Sequence, residues 1–179
     1  MTSNNLKTIT QEELKSILDC HSKYLNNEPD GKRADLSYAD LRGADLRYSN
    51  LTSANLTSAN LRYADLRYAD LRYANLINAN LINANLSHTN LRYANLSYAD
   101  LRYSDLRYAD LDFSLFPLWC GSFNIKCDMR LFAQLAYHMC RLDVTNCEDS
   151  EELKHYQEAL KPIANKFHLN VAGDPVLVF

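Results

Sequence analysis

From residue 36 to residue 111 a leucine stands at every fifth position: Leu36, Leu41, Leu46, Leu51, Leu56, Leu61, Leu66, Leu71, Leu76, Leu81, Leu86, Leu91, Leu96, Leu101, Leu106 and Leu111. Two positions before each lies a small residue, alanine except at Ser49, Thr89 and Ser104. Between the two is Asp or Asn at every place from Asp35 to Asp110. The last two positions of each unit are mostly polar or aromatic, and Arg-Tyr is the commonest pair, as in Arg62-Tyr63 and Arg107-Tyr108. On an α-helix five residues advance about 500°, so successive leucines would point all round the axis. On a flat strand an odd period sends them to alternate faces. A chain that turns a corner once per unit brings every leucine and every small residue to one axis instead. Asp and Asn suit such corners, because their side chains bond nearby backbone groups. The pattern therefore predicts an all-β solenoid, and the period alone leaves three-sided and four-sided coils open. Ser114, Leu115 and Phe116 continue the phase as a degenerate seventeenth unit, which places Phe116 in the core with the leucines.

A solenoid exposes unpaired backbone at its ends and needs caps. Residues 10–25 read as an N-terminal helix, with Thr10 and Glu13 at capping-box spacing and an apolar stripe of Leu14, Ile17, Leu18 and Leu25. His21 on this helix reads as cap packing and not as a ligand. Asn26 to Lys32 is a turn-rich link. After Phe116-Pro117 the composition changes. Asp128 suits the cap of a helix running to about Leu142, with Phe132, Leu135, Ala136 and Met139 as its buried stripe. A second helix from about Ser150 would bury Leu153, Tyr156, Leu160, Ile163 and Phe167, kinked or split at Pro162. The apolar tail, Val171 to Phe179, either packs on these helices or joins two subunits as a homodimer. The organisation expected is a helical cap and linker over 1–33, the repeats over 34–116, and a helical cap with an apolar tail over 117–179.

The runs ADLSYADLRGADLRYSNL and ADLRYADLRYANL resemble the pentapeptide repeat family, whose unit is A-(D/N)-L-X-X. The resemblance implies a right-handed quadrilateral β-helix of about four coils, roughly 20 Å long at the usual strand spacing. With four units per coil, positions twenty apart stack. One column then carries Arg47, Arg67 and Arg107, interrupted by Ser87, beside Tyr48, Tyr68, His88 and Tyr108, with Asp45, Asp65 and Asp105 next to it. Arg47, Tyr48, Arg67, Tyr68, Arg107 and Tyr108 form the candidate interaction face. The preceding face carries Arg42, Arg62, Ile82 and Arg102, with Asp40 and Asp100. Such rows read first as a solvated, self-neutralising surface, and second as a seat for an acidic or phosphate-bearing ligand. Stacked tyrosines stabilise a rod without any ligand. Ile77 and Ile82 offer a small apolar patch.

Composition adds mainly exclusions. Hydrophobic residues make 47% of the 179 and charged residues 23%, with a formal net charge of −3, an ordinary globular balance. No apolar run reaches the ~18 residues of a membrane span, and the start MTSNNLKTITQEEL lacks the pattern of a secretory signal. A cytoplasmic protein with reduced thiols is expected. Cys120, Cys127, Cys140 and Cys147 with His138 invite a zinc reading. Their pairs are too widely spaced for the usual structural site, and small buried hydrophobes account for them better. There is no Gly-rich phosphate loop and no spacing for a catalytic triad, so neither catalysis nor a cofactor is expected. The function expected is that of a non-enzymatic interaction or scaffold module with an unidentified protein partner, and no direct nucleic-acid binding. The resemblance supplies an alternative, since some family members mimic duplex DNA and bind DNA gyrase, inhibiting it or protecting it from quinolones and toxins. Residues 34–116 hold nine Asp and eight Arg. Duplex DNA of the same length carries about twelve negative charges and no positive ones.

Overall fold

The computed structural model describes residues 6–117, 125–128, 131–132, 135–136 and 150–168. The chain divides into two compact units, Met1–Lys126 and Cys127–Phe179.

The first unit is a solenoid whose construction is visible in one repeat. In Asp65–Ala69, the Asp65 N–H donates to Ala44 O of the preceding coil, while Leu66 and Tyr68 donate to Asn85 O and Ser87 O of the next. The Ala69 N–H closes a β-turn onto Leu66 O at 3.0 Å. The Arg67 N–H, which would otherwise be orphaned, donates to Asp65 Oδ1 at 3.2 Å. All five backbone donors are thereby satisfied, as buried and half-buried backbone requires. The same side-chain bond recurs from Asn55, Asn75, Asn85 and Asn95. This is why Asp and Asn interchange at the corner: either side chain offers the oxygen that the turn needs.

Parallel bridges join positions twenty apart, from Asp35–Asn55 to Asn90–Asp110, so four units close one coil. Leu115 still pairs with Asn95, and Lys126 pairs with Asp105 one residue out of step. All sixteen leucines are at most 3% exposed. Each contributes about 1.5–3 kcal/mol of burial. The inward alanines fill the space between them. Ser104 and Thr89 fit there because their hydroxyls donate to Leu101 O and Leu66 O. Phe116 departs from the expectation. It is only half-buried and its neighbour Leu115 is exposed, where the A-(D/N)-L pattern lapses into Ser114-Leu115-Phe116.

The turns carry a cost. The last residue of each unit has φ near +60°, and this residue is Tyr at 38, 48, 63, 68, 73, 93, 98, 103 and 108. Glycine or asparagine normally fills such a position, and a bulky L-residue there costs about 1–2 kcal/mol. Gly43 is the one glycine in this place. Tyr38, Tyr48, Tyr63, Tyr68, Tyr73 and Tyr93 are held there by ladder bonds on their N–H groups.

At the N-terminal end β1 (Lys7–Thr8) pairs in parallel with β2 (Ala39–Asp40), in the register Lys7 to Ala39. The helix α1 (Gln11–Leu25) follows, with Thr10 and Glu13 making both bonds of a capping box. Leu14 and His21 are buried, and Ile17, Leu18 and Leu25 are half-buried, which completes one apolar face. His21 Nδ1 accepts the Ala34 N–H at 3.1 Å. That donor belongs to the first repeat and has no preceding leucine carbonyl to close on, so the imidazole takes the place of a missing repeat. Burial holds the ring's pKa below its usual value, which keeps Nδ1 free to accept. In the link, Gly31 sits so close to α1 that a Cβ would lie 2.4 Å from the Tyr24 nitrogen.

In the second unit Asp128 Oδ1 accepts the Leu131 N–H at 2.8 Å, as a helix cap would. Among the described side chains there, Leu131 and Ala136 are buried, whereas Phe132, placed in the stripe by its spacing, is exposed. Met139 lies outside the described residues. The helix α2 (Ser150–His168) runs unbroken through Pro162. Tyr156, expected inside, is 55% exposed, while Leu160 and Ile163 are half-buried. Leu153 and Phe167 belong to the helix, but the burial of their side chains lies outside the description, as does the tail from Val171.

Candidate interaction face

The twenty-residue pitch converts sequence spacing into ring spacing. Tyr48, Tyr68, His88 and Tyr108 form one continuous ladder, with centroids 5.1, 4.7 and 4.7 Å apart and planes within 16° of parallel. Ring faces inside the ladder are consumed by their neighbours. What the solvent meets is a row of edges and phenol hydroxyls, with Tyr48 72% exposed at one end. Nucleobase stacking on this column is therefore closed off except at the ladder's termini.

Beside the rings, each arginine that follows an aspartate folds back onto its own unit. Arg47, Arg67 and Arg107 hold Asp45, Asp65 and Asp105 through two nitrogens each, at 2.6–2.9 Å. Arg42, Arg72 and Arg102 repeat the arrangement on other faces. The bond from the Arg47 side chain, followed by that from its backbone N–H, holds the Asp45 carboxyl at about 2. The same two donors of Arg67 and Arg107 lower Asp65 and Asp105. The six predicted face residues thus lie together, and their charges cancel pairwise within one repeat.

Sequence reasoning overlooked a second ladder on the next face. Tyr73, Tyr93 and Phe113 stack at 4.9 Å with planes within 7°. Arg92 follows Asn90, which cannot pair with it as a carboxylate, so it reaches into the next coil to Asp112 at 2.8 Å and Asp110 at 3.5 Å. Its guanidinium also lies over the Phe113 ring. The signal was available, since 73, 93 and 113 share the twenty-residue spacing. Arg62, the other arginine after an asparagine, lies over its own Tyr63 ring. Ile77 and Ile82 are half-buried at neighbouring corners.

Among the described residues no group of His, Cys, Asp and Glu is arranged to hold a metal. Cys127 is exposed and unpaired, and Cys120, His138, Cys140 and Cys147 lie outside the description. No helix among the described residues is long and apolar enough to cross a membrane.

A coil of four corner-turning units with inward leucines defines a β-solenoid of the β-helix type. Residues 34–72 and 69–107 match the family model for pentapeptide repeats, in eight copies, so the chain carries pentapeptide repeats over this segment. Among solved structures it is similar to a pentapeptide repeat protein, Rfr23, from the cyanobacterium Cyanothece 51142. The identity is 38% over 54% of this chain and 58% of that one, with a TM-score of 0.36. HetL from Nostoc sp. strain PCC 7120, a pentapeptide repeat protein involved in heterocyst differentiation regulation, is 33% identical over 55% of this chain and 40% of its own, with a TM-score of 0.37. QnrB1, a plasmid-mediated fluoroquinolone resistance protein, is 22% identical over 60% and 69%, with a TM-score of 0.25. The chain thus spans about 58% and 40% of the lengths of the first two. A search of curated proteins gives no significant match.

Proposed function

We propose that the protein is a non-enzymatic, cytoplasmic interaction module that presents the Tyr48–Tyr68–His88–Tyr108 ladder, with Arg47, Arg67 and Arg107, to a protein partner. The observation that carries this reading is the stacking of exposed rings at 4.7–5.1 Å on a closed hydrogen-bonded ladder. Tyrosine is enriched where interfaces concentrate their energy. Rings already fixed by their neighbours lose little further freedom on binding. The alternative of a DNA-like surface toward DNA gyrase finds weaker support. Three of the aspartates it would need are closed by bidentate arginines on this face alone, and six are across the solenoid.

Affinity capture from a bacterial lysate, followed by mass spectrometry, tests the proposal with wild type and Tyr68→Ala/Tyr108→Ala side by side. A partner retained by wild type and lost by the double variant supports the face. Gyrase subunits displaced by DNA would replace this reading with the mimic. A partner bound equally by both proteins would remove the face from the function.

A further inference from the structure

We propose that the first-coil edge at Asp45–Tyr48 takes an extended peptide segment bearing a basic residue followed by an aromatic one, added as one more parallel strand. In every later coil of this face the three corresponding backbone groups are bonded downward: Asp65 N–H to Ala44 O, Asp65 O from Leu46 N–H, and Arg67 O from Tyr48 N–H. In the first coil the Asp45 N–H, Asp45 O and Arg47 O make no such bond. The strand that would have supplied the partners stops one corner short. Continued in its register, β1 would bring Glu13 beneath Asp45, but the chain has already turned into α1 at Gln11. The Lys7 N–H donates to the Tyr38 carbonyl, on the side of β1 away from Asp45.

The side chains at this edge state what would complete it. Arginines of one coil reach the aspartate of the next, Arg47 to Asp65 at 3.7 Å and Arg92 to Asp110 at 3.5 Å. Asp45 has no coil beneath to supply such a cation, and its side chain is 60% exposed against 29% for Asp65. Tyr48, next to the ion-paired Arg47, ends the ladder with one ring face free. A strand with Arg or Lys at the fourth position of the repeat and an aromatic ring at the fifth would meet all of these groups together. Strand addition to an exposed sheet edge is a common mode of peptide recognition. A charged residue there also discourages indiscriminate edge pairing, so the carboxylate selects for a cation while it repels other strands.

This inference shares the reading of the chain as an interaction module but uses its end, not its flank. The test is a titration of the 15N-labelled full chain with acetyl-Ala-Asn-Leu-Arg-Tyr-Ala-amide, followed by amide shifts. Shifts centred on Asp45, Leu46, Arg47 and Tyr48 are expected, with slowed exchange of the Asp45 amide. Asp45→Asn, which keeps the oxygen that the turn needs, should weaken binding about two- to fivefold, the scale of one partly exposed ion pair. A peptide with Glu for Arg should bind as weakly. Asp70→Asn, on another face, and Tyr108→Ala, at the far end of the ladder, should leave the titration unchanged, although Tyr108→Ala weakens capture on the flank. No shifts at millimolar peptide, shifts centred elsewhere, or self-association of the peptide-free chain through these residues would each overturn the proposal.

Discussion

Two adjacent faces of the solenoid carry the same aromatic ladder and handle their charges differently. On the Tyr48 face each arginine follows an aspartate and closes on its own repeat. On the Tyr73 face Arg72 closes on Asp70 in the same way, but Arg92 follows Asn90, finds no carboxylate in its unit, and bridges to Asp110 and Asp112 of the next coil. Both corner residues accept the same backbone bond, so the turn is indifferent to the choice. With asparagine at its corner Arg92 takes a carboxylate from the next coil at 2.8 Å, whereas Arg47, closed on Asp45, reaches the next-coil Asp65 only at 3.7 Å.

The largest expected effect tests what the faces share. Leu86→Ala and Leu91→Ala each remove a wholly buried leucine, one behind each face. Each should lower stability by about 2–5 kcal/mol in chemical denaturation. Equal losses say that the inner column ignores the surface. A much smaller loss at Leu91 would mean that the Tyr73 face is packed more loosely.

Arg92→Ala sharpens the contrast itself. It leaves Asp112, whose side chain is only 8% exposed, without its closest cation. About 1–2 kcal/mol should be lost, reduced from the cost of a fully buried pair because Arg92 is itself part-exposed. Arg67→Ala, on a solvated pair, should move the denaturation midpoint far less. Reversal of that order would contradict the distinction between the faces.

The rings come next. Tyr68→Ala and Tyr93→Ala each delete the middle of a ladder and both of its ring contacts. A loss of about 1 kcal/mol is expected at each. Tyr68→Gly should be no worse than Tyr68→Ala, because glycine relieves the cost of φ near +60°. A clear preference for alanine in thermal melts would say that the turn carries no strain.

The smallest effect is in acid. The Asp45 carboxyl sits at about 2 in the folded chain, below the ~3.9 of an unfolded one. A depressed folded value means that the unfolded chain takes up protons first as the pH drops. The contribution of this pair is therefore complete above about pH 4 and disappears as the pH falls through about 2. Carbon-13 titration of the side-chain carboxyls checks this, and a midpoint near the unfolded value would mean that Arg47 does not hold Asp45 in solution.

Much of this was legible along the chain. The period of five, with its Asp or Asn before each leucine, demanded a corner per unit, and the Thr10–Glu13 spacing marked the start of α1 three residues before its buried Leu14. The Tyr48 column followed once four units were assigned to a coil. The Tyr73 column obeys the same arithmetic at 73, 93 and 113, with Arg72 and Arg92 also twenty apart beside it. Periodicity failed in the second unit, where Phe132 and Tyr156 sit at helical spacing yet point to solvent. A stripe read from one helix does not reveal which of its edges has something to pack against.

By itself the sequence determined the inward leucines, the small residues between them and the corner oxygens, because those properties are local and repeat with every unit. Only the tertiary structure decided the rest. Closure at twenty residues depends on hydrogen bonds between coils, which no single repeat contains. The buried His21 that stands in for a missing leucine carbonyl, the inter-coil reach of Arg92 and the open edge at Asp45 all arise where a neighbour is present or absent. The neighbours of His21 and Arg92 lie thirteen and twenty positions away in the chain.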